Sequence, residues 1–205
     1  MDGIFGWLGE HGAHQDLIRH MGEAAGLSPD SVRDSHSTPA FGMAGVSRLS
    51  KAGIHTGDGL AIALHGRPRF DDADLAAAAR EHGPAAALAQ GWRRFGEQLL
   101  PRIRGNFAFA VLAPDSGQAF LALDRIGNER LCYAKRGRQF VFGGSAQAVA
   151  AHPAIGRNID TQAIYDYLYF HTIPAPRSLY QGVKKLLPGQ YARLKNGQIE
   201  TGFYW

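Results

Sequence analysis

Apolar residues along the chain follow two kinds of spacing, one typical of strands and the other of helices. The opening stretch MDGIFGW is apolar and punctuated by glycine, which predicts a buried strand at the start of the chain. In HQDLIRHMGEAAGL, Leu17 and Met21 recur at helical spacing, and Gly26 is a stop signal for the predicted helix. Residues 27–40 are rich in Ser, Pro and Asp, which predicts a loop.

The rest of the chain alternates in the same way. Two short strands, FGMAGVS and LAIALHG, precede two Ala-rich helices, DDADLAAAAREHG and PAAALAQGWRRFGEQLLPRI. Paired strands then surround the turns PDSG and KRGR, short helices are predicted at AQAVAAH and TQAIYDYLYF, and a last hairpin turns at Asn196 and Gly197. About eight strands and five helices predict an α+β fold of antiparallel sheets covered by helices.

Composition narrows the function classes. The chain has 205 residues, 45% of them hydrophobic, which is enough to bury a sizeable core. Its formal charge of +4 comes from scattered basic residues without interleaved aromatics, so a nucleic-acid partner is not expected. Cys132 is the single cysteine, which excludes an internal disulfide and suits the cytoplasm. No signal peptide or membrane-spanning run is present, so no membrane partner is expected.

Six segments then occur in a recognisable order: MDGIFG, SRLS, RGNFAFAVLA, LDRIGNERLCY, FGGSAQAVAAHP and GVKKLLPGQY. Together they resemble the N-terminal glutaminase domain of the asparagine synthetases, the class II glutamine amidotransferases. The resemblance covers essentially the whole chain. It implies a four-layer αββα sandwich of two antiparallel sheets, the N-terminal-nucleophile hydrolase architecture. It also implies that residues 1–157 form the amidotransferase-like domain. Residues 158–205 would be a connecting helix and hairpin that complete it and lead toward an absent synthetase domain.

The resemblance raises a chemical problem at the start of the chain. In the family, Met1 is removed and a cysteine at the second encoded position attacks the glutamine amide, with its own α-amine moving the protons. Here Asp2 occupies the nucleophile position. A carboxylate is a weaker nucleophile toward an amide, and a methionine followed by Asp is a poor substrate for removal. We therefore expect that Met1 is retained and that no catalytic residue functions here.

Of the other positions carried over from the family, one is kept and most of the rest depart. Arg48 in SRLS matches the arginine that clamps the glutamine carboxylate, and it is either a retained ligand clamp or a member of an ion pair at the edge of the core. The family's Asn-Gly-Glu, which supplies an oxyanion donor, corresponds to His65, Gly66 and Arg67, and the residue that pairs with the glutamine ammonium falls near Ala85. Nucleophile, oxyanion donor and ammonium partner thus all depart together, and Arg67 inverts the charge of the family's Glu. This pattern predicts natural loss of glutaminase activity, with these five positions as a vestigial substrate site.

The resemblance also implies a second, synthetase domain that this sequence does not contain. Its synthetase domain holds ATP and magnesium, and its phosphate-binding loop has no counterpart here, so no cofactor is expected in this chain. The end of the sequence at a hairpin favours a domain excised from a longer protein. The predicted role is a scaffold that packs against a synthetase-like domain, and a homodimer is a further candidate. Two alternatives are an active or altered glutaminase and an amino-acid sensor.

Several smaller features have a structural and a functional interpretation. The histidines at positions 11, 14 and 20 lack a third ligand at fixed spacing, which favours solvated side chains and no metal site. The segment RPRF, residues 67–70, is either an anion site or a loop that follows a strand. Cys132 is expected to be a buried hydrophobe. Residues 143–145 are interpreted as a tight turn into a helix and not as an anion site.

Overall fold

Two six-stranded antiparallel sheets form the centre of the molecule in a computed structural model, which describes residues 3–10, 14–26, 34–46 and 53–205. Sheet A contains, in spatial order, β10 (Lys184–Lys185), β8 (Cys132–Arg136), β9 (Gln139–Gly143), β1 (Gly3–Leu8), β3 (Phe41–Val46) and β2 (Asp34–Ser37). Sheet B contains β12 (Gln198–Phe203), β11 (Gln190–Lys195), β7 (Gln118–Leu123), β6 (Ile103–Ala113), β5 (Leu60–Phe70) and β4 (Gly53–Gly57).

Five α-helices accompany the sheets within the described ranges of the chain. They are α1 (His14–Ala24), α2 (Ala73–Glu81), α3 (Pro84–Phe95), α4 (Ala146–Ala150) and α5 (Thr161–Phe170). Two 3-10 segments, Gly96–Arg102 and Pro114–Ser116, follow α3 and β6 respectively. In the described parts of the chain, no helix is both long and apolar enough to cross a membrane.

Alternation along the strands explains why the sheets and helices stack as layers. In β1, Ile4 and Leu8 face the space between the two sheets, whereas Phe5 and Trp7 belong to the core beneath α1 and α4. In β5 the corresponding division places Ala63 between the sheets and Leu64 under α2 and α3. Both faces of each sheet therefore carry buried residues, and the predicted four-layer αββα sandwich is confirmed.

A close approach of glycine to tryptophan fixes the packing of sheet A. Trp7 is fully buried, and a Cβ added at Gly42 of the neighbouring β3 would lie 2.2 Å from its ring. The indole therefore occupies the space that a side chain at position 42 would need. This contact explains why a glycine stands at position 42 in a strand that is otherwise apolar.

Several sequence predictions are confirmed. Leu17 and Met21 are buried on α1, whose helix ends before Gly26. The last hairpin turns where Asn196 and Gly197 both have positive φ, at 51° and 73°. These values are those of a type I′ turn, for which Asn-Gly is the favoured pair.

Three predictions about local structure are wrong. Residues 34–37, assigned to a loop, form β2, whose polar side chains are tolerated because it is the exposed edge of sheet A. RPRF is not a loop after a strand, because it forms the end of β5 and pairs with β6. The helix predicted from Pro84 onward ends at Phe95, since Gly96 adopts φ 54° and Pro101 follows within one 3-10 segment.

Helix α5 is held firmly and yet presents apolar side chains to solvent. Asp160 caps its first turn by accepting from the backbone N of Gln162, and Arg177 pairs with both Asp160 and Asp166 at 2.8 and 3.2 Å. The hydrogen bond from Arg177 holds the pKa of Asp160 below its usual value. The exposed apolar residues of the helix are Ile164, Tyr165, Tyr167, Leu168, Tyr169 and Phe170.

Candidate functional site

The motif predicted to replace the oxyanion donor lies on β5, where that strand pairs with β6. His65 is opposite Ala108, Gly66 opposite Phe107, and Arg67 opposite Asn106. Gly66 has φ 104°, and a Cβ there would lie 2.4 Å from the carbonyl oxygen of Asn106. Position 66 therefore accepts only glycine for two independent reasons, the backbone conformation and the lack of space.

His65 is turned toward a carboxylate inside the protein. Its Nδ1 lies 2.8 Å from Oε2 of Glu129, and the two side chains are only 9% and 20% exposed. With Nδ1–H donated to the carboxylate, Nε2 of the neutral ring presents a lone pair, and this atom is buried without a hydrogen-bond partner among the described residues. In that form the imidazole cannot donate to a developing oxyanion.

Glu129 is positioned by the loop between β7 and β8, which is organised around one buried aspartate. Asp124 is fully buried, and its carboxylate accepts three backbone N–H groups, from Ile126 and Asn128 at 3.1 Å and from Glu129 at 2.9 Å. The backbone of Asp124 is itself held, because its N donates to the carbonyl of Phe107. The loop is thus tied directly to the β6 residue opposite Gly66.

The described start of the chain lies at the same end of the sandwich. Gly144 N donates to the carbonyl of Ile4 at 2.8 Å, and a Cβ at Gly3 would be 3.6 Å from the Cα of Gly144. Ser145 follows and caps α4 by accepting from Ala148 N. This tight turn agrees with the structural interpretation of residues 143–145.

A cavity of about 390 Å³ opens beside Gly144. Its lining includes the cations Arg130 and Lys185, the acid Glu129 and the thiol of Cys132. Burial raises the pKa of this thiol to about 11, although Lys185 and Arg130 partly oppose the shift. Because only the thiolate is an effective nucleophile, Cys132 is unsuited to replace the terminal cysteine of the family.

We expect the Cys132 thiol of the folded protein to react at least about 100-fold more slowly with an aromatic disulfide reagent near pH 8 than the thiol of the unfolded chain. A rise of the pKa from 9.0 to about 11 lowers the thiolate fraction by about that factor, and burial adds a steric barrier. Absorbance of the released thiolate, measured with and without denaturant, checks this. Equal rates in the two conditions would contradict the protected thiol.

Ala85 is buried on the first turn of α3. A Cβ added at Gly53 of β4 would lie 3.1 Å from the Cβ of Ala85, so the helix packs closely on that strand. The N-cap of α3 is Gly83, which provides no side-chain hydrogen bond to the helix. This helix end therefore supplies no carboxylate for a substrate ammonium from either position.

The structure brings together only part of the predicted site. His65 and Gly66 are buried on β5, whereas Arg67 is exposed and Ala85 lies on α3. Asp2 and Arg48 lie outside the described residues, as does His11, and of His14 only the backbone is described. The described residues contain no group of three or more His, Cys, Asp or Glu side chains suited to a metal ion.

Sequence reasoning missed Glu129 and Asp124. The only signal was indirect: Asp124 and Gly127 stand in LDRIGNERLCY, where a buried acid after a strand and a glycine with φ 70° are typical of a structured turn. Glu129 approaches His65 across 64 positions of sequence, and no local pattern predicts such a contact.

Comparisons with known proteins agree with this architecture. A family model described as a glutamine amidotransferase domain matches residues 73–205. Two solved structures match 99% of this chain at 13% identity. One is glutamine phosphoribosylpyrophosphate amidotransferase from B. subtilis complexed with ADP and GMP, with a TM-score of 0.56, and the other is the allosteric regulatory enzyme of purine biosynthesis, with a TM-score of 0.58. Each match covers 49% of the solved chain. The fold is thus that of the N-terminal-nucleophile amidotransferases.

The chain belongs to the glutamine amidotransferase domain family. Its sequence is 26% identical over 119 residues to asparagine synthetase [glutamine-hydrolyzing] 3 of Bacillus subtilis, and 28% identical over 127 residues to a putative asparagine synthetase [glutamine-hydrolyzing] of Mycobacterium bovis. These matches cover 58% and 57% of this chain but only 19% and 18% of the relatives. The domain is therefore similar to the N-terminal region of asparagine synthetases and spans under a fifth of the length of these relatives.

Proposed function

We propose that this amidotransferase domain has lost glutamine hydrolysis and acts as the structural N-terminal domain of an asparagine-synthetase-like protein. The observation that carries the proposal is the orientation of His65. Its Nδ1 lies 2.8 Å from Oε2 of Glu129, and its Nε2 is buried without a hydrogen-bond partner among the described residues. Removal of a single oxyanion donor typically lowers the catalytic rate by about 100- to 1,000-fold.

The charge at position 67 and the absence of a reactive nucleophile support the same proposal. Arg67 is a cation where the family has an acid, and Ala85 provides no carboxylate for the substrate ammonium. Asp2 replaces the thiol, and the single thiol of the chain, Cys132, is held protonated near neutral pH by burial. The nucleophile, the oxyanion donor and the ammonium partner are each altered. A single substitution back to the family's residue is therefore insufficient to restore glutamine hydrolysis.

A scaffold needs a surface for its partner, and α5 supplies one. Six large apolar side chains between Ile164 and Phe170 are exposed on α5. Arg177 forms an ion pair with Asp160 at the start of this helix. Contiguous apolar patches of this kind mark interaction surfaces. More than four fifths of each asparagine synthetase relative lies outside the matched segment. We therefore assign the exposed side of α5 to contact with a synthetase-like domain, where ATP and magnesium would bind.

Glutamine hydrolysis is tested by incubating the purified chain with millimolar glutamine and measuring glutamate with a coupled enzyme. We expect no glutamate above the level of a heat-inactivated sample, and an Asp2→Cys variant is expected to remain inactive because His65 and Arg67 are unchanged. A glutamine-hydrolysing asparagine synthetase assayed in parallel verifies the measurement. Turnover by the unaltered chain would overturn the proposal, and turnover by Asp2→Cys alone would show that the rest of the pocket is intact.

A further inference from the structure

Two cations without a partner carboxylate among the described residues line the cavity beside Gly144. Arg130 belongs to the loop between β7 and β8, and Lys185 belongs to β10. The one acid of the described lining, Glu129, is engaged by His65 at 2.8 Å. We propose that this cavity is a binding site for a small organic acid, whose anionic group contacts Arg130 and Lys185 and whose apolar body contacts the aliphatic walls.

The two cations are close to one residue of the cavity wall, Cys132. Lys185 is directly opposite Cys132 in the antiparallel pairing of β10 with β8, so the two side chains leave sheet A on the same face and are neighbours. Cys132 itself lines the cavity. The positive charges of Lys185 and Arg130 both favour the thiolate and oppose the rise of the Cys132 pKa that burial causes. Both charges therefore act at the same part of the cavity.

The hydrogen-bond donors of both cations remain available to a ligand. Neither Arg130 nor Lys185 takes part in an ion pair within the described parts of the chain. Nζ of Lys185 donates to the carbonyl of Ile173, which also lines the cavity, so the ammonium is fixed at the wall with two N–H groups left. Arg130 is exposed, and its planar fork of N–H donors matches a carboxylate or a phosphoryl group.

The walls of the cavity indicate that the ligand has an apolar part. Aliphatic side chains contribute much of the lining, namely Leu123, Leu131, Ile173, Leu179, Leu186 and Pro188. The volume of about 390 Å³ lies within the roughly 300–1,000 Å³ that is typical of small-molecule sites. An inorganic ion would leave these walls in contact with water, whereas an organic acid covers them. The inference stands whether or not the domain hydrolyses glutamine.

Titration calorimetry of the intact chain at low salt tests the site. The probes are benzoate and phenyl phosphate, with benzamide as the uncharged analogue of benzoate. We expect saturable one-to-one binding of the anions and none of benzamide. Arg130→Gln and Lys185→Gln are each expected to weaken anion binding by about tenfold or more, as is typical for hydrogen bonds between charged groups, and Lys185→Arg is expected to lose less than Lys185→Gln. Tighter binding of phenyl phosphate assigns a phosphoryl group to the ligand, and tighter binding of benzoate assigns a carboxylate.

Lys184→Gln is the matched control, because it removes the same charge from the neighbouring position of β10. Lys184 is exposed, is opposite Tyr133 and does not belong to the described lining of the cavity. Equal weakening in Lys184→Gln would overturn the proposal, since it would show diffuse attraction to a basic surface. Absence of binding by both anions, or binding of benzamide as tight as that of benzoate, would also overturn it. Circular dichroism spectra verify that the variants are folded, and the exposed position of Arg130 makes its variant independent of the packing around Lys185.

Discussion

Replacing Asp124 with alanine is expected to lower the free energy of unfolding by about 3 kcal/mol, because three backbone N–H groups lose their acceptor at about 1 kcal/mol each. For a chain of this size the unfolding temperature falls by about 6–12 °C. The same change releases Glu129 from its place beside His65. Urea unfolding, followed by tryptophan fluorescence to which the buried Trp7 contributes, measures the loss of stability.

Two variants make this expectation specific. Asp115→Ala removes an exposed aspartate from the turn after β6 and is expected to change stability by less than about 0.5 kcal/mol. Asp124→Asn keeps one oxygen acceptor, and its stability is expected to lie between those of Asp124→Ala and Asp115→Ala. If Asp124→Ala were as stable as Asp115→Ala, the buried carboxylate would not be what organises the loop between β7 and β8.

Replacing Gly66 with alanine is expected to destabilise the fold by about 3–5 kcal/mol, the combined effect of a strained positive φ and of overpacking. The added Cβ would lie 2.4 Å from the carbonyl oxygen of Asn106, which belongs to the strand β6 that pairs with β5. Relief of the clash requires β5 and β6 to separate beside His65. Thermal unfolding monitored by circular dichroism measures the effect.

Gly83→Ala is the matched control for the contribution of backbone strain. Gly83 has φ 91°, close to the 104° of Gly66, but a Cβ added there meets no atom within 4 Å. Its substitution is expected to lower stability by only about 1 kcal/mol. A loss in Gly66→Ala no larger than this would show that the strands move apart without penalty, contrary to the close pairing of Gly66 with Phe107.

The alternation of apolar residues was enough to predict most of the fold, because burial on both faces of each sheet leaves a local signature. The strand at GIFGW and the helix carrying Leu17 and Met21 are examples, and so is the Asn-Gly turn of the last hairpin. Polar stretches that pair with a neighbouring strand on one side only leave no such signature. Residues 34–37 and the RPRF segment pair through their backbones, and their side chains remain compatible with a loop.

The candidate site was predictable only where the family motif marks it. Gly66 could be identified from the sequence, and its positive φ gives the physical reason for a glycine. The partner of His65 could not, because Glu129 reaches it through a loop set by the buried acceptor Asp124. Ala85 was expected to provide no carboxylate, but its packing against β4 depends on how α3 lies on sheet B.

The position of β1 in the interior of sheet A has a consequence for synthesis on the ribosome. The strand precedes both of its neighbours along the chain: β3 follows soon after, but β9 emerges much later. The side-chain amide of Gln139 donates to the carbonyl of Glu10, just after β1, across 129 positions. Most of the domain must therefore leave the ribosome before this apolar strand is paired on both sides, so folding of sheet A is late and sensitive to the rate of elongation.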